Sequence, residues 1–449
     1  MAGLAWLCLM GTAAPVHAQS SATQPTPTPH QATAEPLSTS LWAEPPAAGA
    51  TSPDTARTLS LQDLLHTVLN HNTELLASQQ AQRGAQAGIR SASAYANPRL
   101  EWQTGRNRAR MPGTPTGNVQ GWGVSQLIEN PSARSARVDA ASAHARGSEH
   151  AVALTRNALV GETRLRASQY HLRRAEATVS AEDLALLEQV RERVRLRVRS
   201  GEAPRYEVIK ADAEIVHARE RLQTARLQTE QVLVSLNRLA AGHLPARWSL
   251  TGSLADTDAT PSLAELQQQA DADNPELRAL QAEVDRAEAQ WRGARASRLP
   301  GVEVRLGQTR EPDVRQSTLG LNVQVPLFDR RDGAIDEAAA DLERLRGRLG
   351  GRRAELREQV RLAWHALEMA RLRVQALSEG VVHDAEAALR VAQAAYQFGE
   401  RGILDVLDAQ RLLRSARADL LQARFQVQSA HIELDTLAGR FADQPNTPQ

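Results

Sequence analysis

Two very long stretches of this chain contain no proline and place apolar residues every three or four positions, a pattern that predicts long packed helices. The first opens at Pro131 and runs without a further proline to Arg199, and the second runs from Arg330 to Phe398. At about 1.5 Å per residue, each helix would be roughly 100 Å long. Four shorter helical stretches lie at 61–96, 205–241, 263–298 and 403–438. Because two shorter stretches together match one long helix, we expect them to stack end to end against it as a two-stranded coiled coil.

Between each short and long helix lies a pair of segments in which apolar and polar residues alternate, as in amphipathic β-strands. The predicted strands are 99–106, 118–127, 302–310 and 318–325. A single hairpin of this kind would fit a cap on a soluble domain. Two equivalent hairpins, each leading into a very long helix, favour a transmembrane β-barrel. Four strands are too few to close a barrel, so it must be shared among chains.

The second half of the chain repeats the plan of the first. Asn72-Thr73-Glu74-Leu75 reappears about 200 positions later as Asn274-Pro275-Glu276-Leu277. A repeat of this length predicts two similar halves rather than a solenoid of small units. We therefore expect a mainly α, internally duplicated fold with a small β part. The predicted divisions are a first repeat at 57–245, a second repeat at 246–440 and a tail at 441–449.

The N-terminus has the features of an export signal. Leu4 to Met10 is an apolar core and Val16-His17-Ala18 resembles a cleavage site, which predicts a signal peptide at 1–18. Residues 19–56 are rich in Pro, Ala and Thr, which predicts a flexible leader. Cys8 is the only cysteine, so the exported chain would have no disulfide.

Composition and charge argue against several classes of function. The formal net charge is +1, so nothing indicates a nucleic-acid partner. Aromatic residues make up 3% of the chain, which is typical of Ala-rich helical coils rather than of a large globule. No apolar run of about 18 residues predicts a transmembrane helix.

Neither catalysis nor a bound cofactor is predicted. The sequence has no nucleophile–base motif, Walker loop or zincin motif, so we expect no enzyme, no catalytic residues and no cofactor. His66 and His71 are five positions apart, and His144 and His150 are six apart. Neither spacing puts two ligands on one helix face, so we expect no metal site.

Several motifs carry a resemblance to a known family. They are Asn72-Thr73-Glu74-Leu75, Asn274-Pro275-Glu276-Leu277, Val325-Pro326-Leu327-Phe328-Asp329 and the segment from Phe398 to Ala409. Together with the duplication, they make residues 58–440 resemble the TolC-like outer-membrane efflux channels. The segment from Gly123 to Glu129, leading to Ser135-Ala136-Arg137, most resembles the heavy-metal cation efflux branch. Asn130-Pro131-Ser132 stands where that branch usually has a Gly-Lys or Gly-Arg pair.

The resemblance implies a fold, a location and partners. It implies a homotrimer in the bacterial outer membrane, with a 12-stranded β-barrel and a coiled-coil α-helical barrel extending into the periplasm. It also implies a periplasmic adaptor protein and an inner-membrane pump, of the RND type for the heavy-metal branch. Trp102 and Trp122 are then candidates for aromatic residues at the membrane interface, in contact with outer-membrane lipid.

Two acidic residues are candidates for a gate at the periplasmic tip. Asp405 and Asp408 are three positions apart on one helix, and three copies would place six carboxylates around a narrow opening. The alternative is that they are solvated acids at a helix start, where the helix dipole favours them. The resemblance favours the gate, since these positions match the acidic constriction of relatives.

The resemblance also implies a latch and a docking surface at the same tip. Arg401 and Tyr396 match residues that link to the neighbouring helical hairpin, where Glu207 holds the acidic position. A bond from Glu207 to Arg401 or to Tyr396 would hold the tunnel closed. The residues expected to contact the adaptor are Gly201, Glu202, Gly399, Glu400 and Gly402.

Other readings of the sequence remain open at this point. The channel could serve a multidrug pump or type I protein secretion rather than metal efflux. A periplasmic coiled-coil adaptor would normally have a lipoyl-like β-domain and no full-length duplication. A soluble coiled-coil scaffold would lack the strand pairs.

Overall fold

The computed structural model describes residues 57–108, 110–113, 115–254 and 262–442. The predicted signal peptide and leader lie outside the described residues, as does 443–449 of the predicted tail. The described helices are α1 (Leu61–His71), α2 (Thr73–Ser93), α3 (Pro131–Arg199), α4 (Arg205–Leu239), α5 (Leu263–Asp273), α6 (Pro275–Ala296), α7 (Asp332–Ala376), α8 (Val382–Gln397) and α9 (Ile403–Leu437). The described strands are β1 (Arg57–Leu59), β2 (Arg99–Asn107), β3 (Gly117–Ile128), β4 (Trp248–Leu250), β5 (Val302–Arg310) and β6 (Arg315–Val323).

One of the two predicted long helices is a continuous α-helix. The helix α3 has 69 residues and the predicted bounds. The second predicted helix is also helical throughout, from Asp332 to Gln397, but a π-helical segment, Leu377–Val381, lies between α7 and α8. A π turn holds more residues than an α turn and shifts the apolar stripe around the helix axis. The prediction rested on the lack of proline, which gives no indication of a π turn.

The predicted helices at 61–96 and 263–298 are each divided in two, so the prediction of one helix in each stretch was wrong. Asn72 and Asn274 are extended at the breaks, with φ/ψ of −64°/122° and −60°/119°. Each side chain caps the next helix; that of Asn72 accepts from the N–H groups of Glu74 and Leu75, both at 3.1 Å. Because an N-cap residue lies outside helical φ/ψ, each asparagine ends one helix as it begins another.

The same two asparagines join helices that are distant in sequence. Asn72 Nδ2 donates to the carbonyl of Leu239 at the end of α4, at 3.0 Å. Asn274 Nδ2 donates to the carbonyl of Leu437 at the end of α9, at 2.9 Å. The end of α4 therefore meets the start of α2 alongside α3, and the end of α9 meets the start of α6 alongside α7. This confirms the predicted end-to-end stacking of two shorter helices against a longer one.

Buried apolar side chains form three clusters in the described part of the chain. The first joins α1, α3 and α4 with β1 and β4, around Leu64, Leu236 and Trp248. The second lies among α5, α6, α7 and α9, and the third among α3, α4, α8 and α9. In the second cluster, α7 contributes an apolar stripe with heptad-like spacing: Leu342, Leu345, Leu349, Leu356 and Ala363. No described helix is both long and apolar enough to cross a membrane.

Four strands form one antiparallel sheet in the order β2-β3-β5-β6, which confirms two linked hairpins. The fourth strand lies at 315–323 rather than at the predicted 318–325, because the chain turns after it, with the Leu327 N–H bonded to the Val325 carbonyl at 3.0 Å. The parallel pair of β1 and β4 was not predicted. Strands of three residues are too short to show an alternating pattern.

Candidate functional site

One face of the four-stranded sheet is apolar and exposed. Residues opposite each other in an antiparallel pair share a face, so the register assigns the side chains directly. This face carries Leu100, Trp102, Trp122, Val124, Val302, Val304, Leu306, Leu319, Leu321 and Val323. Leu100 is 78% exposed and Leu319 is 74% exposed. A sheet that leaves such a face open to solvent is suited to contact with lipid.

The opposite face is polar and rich in small residues. It carries Gly121, Gly123, Gly307 and Gly320 with Glu101, Gln103, Glu303, Arg305, Thr318 and Asn322. Glu101 accepts a hydrogen bond from Arg305 at 3.1 Å, and Glu303 accepts one from Asn322 at 3.3 Å. The first bond links side chains two strands apart, and the second links side chains on adjacent strands. Because its side chains are polar, this face is suited to contact with water.

The two candidate interface tryptophans are direct neighbours. Trp102 in β2 is paired with Trp122 in β3, and the two side chains are 66% and 45% exposed on the apolar face. The sequence placed both on the strands, and the register brings them together. Their position relative to a membrane boundary stays a prediction.

The helices end at a tip far from the sheet, where the two predicted turns close with the same hydrogen bonds. After α3, the Glu202 N–H donates to the Arg197 carbonyl at 2.8 Å, and after α8 the Glu400 N–H makes the equivalent bond at 3.0 Å. Gly201 has φ +81° and Gly399 has φ +76°. A β-carbon is strained in this region of φ, so both glycines are required by the turns themselves.

All five candidate docking residues are exposed at this tip. Gly402 is extended, with φ −81° and ψ 168°, and precedes α9 without a side chain to cap it. Glu202 lies 3.6 Å from the Arg197 guanidinium. The tip therefore presents two short turns with an acidic residue on each, and contact with an adaptor stays a prediction.

Tyr396 connects three helices at the tip. Its side chain is buried, and its hydroxyl donates to Glu207 Oε2 of α4 at 3.2 Å. Arg197 of α3 donates to the Tyr396 carbonyl at 2.9 Å, and its guanidinium lies 4.7 Å from the centre of the phenol ring. Burial and the Glu207 charge raise the pKa of Tyr396, so the phenol remains a hydrogen-bond donor at neutral pH.

Arg401 has a different partner from the one predicted first. Its guanidinium lies 3.7 Å from Asp405, one helical turn further along. Of the two bonds considered for Glu207, the structure of the single chain contains the one with Tyr396. A contact between Arg401 and Glu207 of a neighbouring hairpin in an assembly stays a prediction.

The second candidate gate residue is also paired within its own helix. Asp408 accepts from Arg411 at 3.0 Å and is 69% exposed. Arg411 also bonds Glu214 of α4. Burial opposes ionisation of Glu214, but the hydrogen bond and charge of Arg411 outweigh it, so the pKa of Glu214 is lowered. Asp405 and Asp408 therefore lie side by side on the tip, each with an arginine beside it.

A buried polar cluster further from the tip was missed by sequence analysis. Asp183 of α3, 8% exposed, accepts from Arg221 of α4 at 3.0 Å and from Gln410 of α9 at 2.8 Å. Arg414 of α9 lies 3.9 Å from the same carboxylate. Burial and the neighbouring Arg221 lower the pKa of Arg414. The available signal in the sequence was Asp183 itself, an acidic residue in line with Leu187 and Val190 on the buried face of α3.

No group of three or more His, Cys, Asp or Glu side chains in the described residues is arranged to hold a metal ion. His71 is stacked on His243, with ring centres 4.1 Å apart. Each ring makes a hydrogen bond through Nδ1 to a backbone carbonyl, at 2.9 Å and 3.1 Å. The pair therefore packs at the junction of α4 with α2.

Comparison with known proteins shows which family has this architecture. Residues 64–242 and 266–440 each match the model of the family described as outer membrane efflux protein. The cobalt-zinc-cadmium resistance protein CzcC of Cupriavidus metallidurans is 28% identical over 394 residues, which cover 86% of this chain and 91% of CzcC.

Solved structures agree in fold. The outer-membrane channel OprN superposes with a TM-score of 0.74 at 17% identity, over 84% of this chain and 89% of OprN. The structure of CusC gives a TM-score of 0.73 at 18% identity, over 84% of this chain and 91% of CusC. With the family model matched in both halves, an exposed apolar sheet face and the paired helical hairpins, this chain belongs to the outer membrane efflux protein family.

Proposed function

We infer the function from the family and the fold, which are those of efflux channels in the bacterial outer membrane. We propose that this chain is the outer-membrane channel of a tripartite efflux system that exports divalent heavy-metal cations. The observation that carries the proposal is the similarity to a cobalt-zinc-cadmium resistance protein along 86% of this chain. The channel is passive, and an RND-type inner-membrane pump and a periplasmic adaptor supply the cations.

The assembly is a homotrimer. Each chain contributes four strands with two open edges, which supports a shared barrel of twelve. The apolar face of the sheet lies outward against lipid, and the polar, glycine-rich face lines the pore. The helices continue the pore into the periplasm, and the tip turns at Gly201 and Gly399 meet the adaptor.

The tip controls passage in two ways. The bond from Tyr396 to Glu207 fixes α8 against α4 and so sets the width of the opening. Asp405 and Asp408 set the electrostatic potential there, because three copies bring six carboxylates together. Arg401 and Arg411, paired with these acids in the single chain, reduce the field until an assembled or open state separates them.

Metal export tests the proposal directly. The chain is expressed in a host that has a heavy-metal pump and adaptor but lacks their outer-membrane channel, and growth is measured on zinc, cobalt and cadmium. We expect resistance to return. A matched variant, Glu202→Lys with Glu400→Lys, keeps the turn glycines and should lose resistance while the channel still reaches the outer membrane. Recovery of resistance to dyes and detergents, but not to metals, would favour a multidrug channel.

The latch is tested by conductance in a planar bilayer. Tyr396→Phe removes only the hydroxyl that bonds Glu207 and keeps the ring beneath Arg197, so it should raise conductance at neutral pH. Arg401→Ser tests the second predicted bond in the same way. Equal conductance in the parent channel and in both variants would rule out a latch at these residues.

The carboxylates are tested separately from the latch. Asp405→Asn with Asp408→Asn should lower cation preference and block by multivalent cations without widening the pore, since it changes potential rather than geometry. Unchanged selectivity would show that the two aspartates act only as acids at a helix start.

A further inference from the structure

One apolar segment of the described chain is left fully open where the sheet meets the helices. After β6 the chain runs through Val325-Pro326-Leu327-Phe328-Asp329, the motif from the family resemblance. Val325 is 63% exposed, Leu327 is 68% exposed and Phe328 is 102% exposed. Exposing three large apolar side chains together is costly in water, so this segment requires a partner surface. We name residues 325–328 the anchor segment.

Neither lipid nor an adaptor at the tip fits this segment. The residues that follow, Asp329, Arg330 and Arg331, are charged and exposed, which is incompatible with burial in hydrocarbon. The tip lies at the other end of α3, whose 69 residues span about 100 Å. A partner bound to the tip turns therefore does not cover the anchor segment.

The opposite edge of the sheet carries a cavity of about 850 Å³ at the same level. It lies beside the link between α2 and β2 and the first turns of α3. Its apolar lining includes Tyr95, Pro98, Ile128, Pro131 and Val138. Its size and lining are suited to an aromatic side chain.

The cavity also has an unsatisfied donor. Arg134 lies over the Tyr95 ring, 4.2 Å from its centre, and also bonds the Ser93 carbonyl. Its Nε is buried and has no hydrogen-bond partner in the described chain. A buried donor without a partner is costly, so the wall of the cavity at Arg134 is not fully satisfied in the single chain.

The strand order brings the two surfaces together when copies assemble. The edges of the sheet are β2 and β6, and the antiparallel order places the end of β6, at Val323, and the start of β2, at Arg99, on the side of the helices. If β6 of one copy pairs with β2 of the next, its anchor segment emerges beside residues 95–98 of that copy.

We propose that Phe328 and Leu327 of each protomer insert into the cavity at Tyr95 and Val138 of the next protomer. The anchor segment and the cavity are different surfaces, so the contact is head-to-tail and repeats until the ring closes. This inference rests on the proposed channel assembly and adds the apolar contact that fixes neighbouring chains below the barrel.

Photocrosslinking in the assembled channel tests the contact. Phe328→p-benzoylphenylalanine keeps an aromatic side chain, and irradiation in membranes should give a dimer-sized band on denaturing gels. Mass spectrometry should place the new bond at 95–98 or 131–138 of the second chain. Leu306→p-benzoylphenylalanine, which puts the same group on the apolar face of β5, a strand flanked by β3 and β6 of its own chain, is the matched control and should give no bond to another chain. A bond within one chain, a bond to another protein or no bond from position 328 would overturn the inference.

Stability of the oligomer gives a second measurement. Phe328→Ala should lose the trimer band in detergent at a temperature where the parent retains it, and Leu306→Ala, on the internal strand β5, should match the parent. Equal loss in both variants would remove the special role of Phe328. A parent chain that forms no trimer would overturn the proposed assembly as well, whereas a trimer insensitive to Phe328 would overturn only the present inference.

Discussion

At the scale of single residues, the internal duplication supplies natural comparisons. The helices α4 and α9 end in the same way, with the N–H group two residues past the cap bonded to a carbonyl in the last turn, at 2.9 Å and 3.0 Å. The left-handed residue is Ala241, with φ +50°, after α4 and Gly439, with φ +73°, after α9. The first repeat therefore has a β-carbon at a position where the second has none.

We predict opposite effects from exchanging these two residues. Ala241→Gly should stabilise the helical region by about 1 kcal/mol, because alanine is strained in the left-handed conformation. Gly439→Ala should destabilise it by more, since the added β-carbon would lie 2.6 Å from the Asp273 carbonyl oxygen. Thermal melting followed by circular dichroism measures both. Similar melting temperatures for the two variants would contradict the assignment.

Two half-buried histidines, His171 and His431, predict a dependence of stability on pH. Burial, followed by the charge of Arg174, lowers the pKa of His171; burial, followed by Arg371, lowers the pKa of His431. The unfolded chain then binds more protons than the folded chain below the ordinary histidine value of about 6.5. Stability is therefore complete above that pH and falls as the pH drops toward the folded-state pKa values.

The measurement is the melting temperature between pH 7.5 and pH 5. We expect it to fall, and we expect the decrease to be smaller in His171→Gln and His431→Gln. His383, whose side chain is 72% exposed, provides the matched control as His383→Gln. If the control variant changes the pH profile as much as the buried variants, burial is not the cause.

At the scale of elements, polar side chains decide how the helices are joined. Asn72 and Asn274 each satisfy the start of one helix and the end of another. Asp183 joins α3 to α4 and α9 inside an otherwise apolar contact. These bonds therefore join helices that are distant in sequence.

Asp183→Ala should destabilise the contacts of α3 with α4 and α9 by about 2 kcal/mol, because it leaves the buried Gln410 and the half-buried Arg221 without their acceptor. Hydrogen–deuterium exchange should rise around residues 180–190 and 405–415. Asp183→Asn keeps the group that accepts from Gln410 and should have a smaller effect. Protection equal to that of the parent in Asp183→Ala would show that the apolar packing alone holds the hairpins.

At the scale of the whole molecule, the sheet separates two environments. Its apolar face is exposed in the single chain, and its polar face carries the glycines and the bonded charges. The free energy that drives membrane insertion therefore comes from side chains that contribute nothing to the helical cores. The two parts of the molecule can be disrupted separately by substitution.

A charge on the apolar face should prevent assembly in the outer membrane. Leu306→Lys on β5 places a cation toward lipid, at a cost of about 2–4 kcal/mol per chain near the middle of the bilayer. Gln103→Lys on β2 places the same side chain on the polar face and should be tolerated. The amount of heat-modifiable trimer in outer-membrane fractions compares them. Equal amounts would show that the apolar face does not contact lipid.

The sequence by itself determined the elements and the family. Proline-free apolar stripes gave α3 with its observed bounds, alternation gave β2, β3 and β5 to within a residue, and the repeat gave two halves matched by one family model. These features depend on local periodicity, which the chain carries in its own order of residues. The same local view missed the breaks at Asn72 and Asn274, since a cap differs little from the residues around it.

Only the tertiary structure decided which side chains meet. For Glu207, the sequence left two partners open, and the structure of the single chain contains the bond with Tyr396. The pairing of Asp183 with Gln410 and of Trp102 with Trp122 also brings together residues from different elements. Such contacts follow from the packing of helices and the register of strands, not from spacing along the chain. The physical reason is that periodicity fixes which face of an element is buried, whereas the partner across that face is fixed by every other element packed against it.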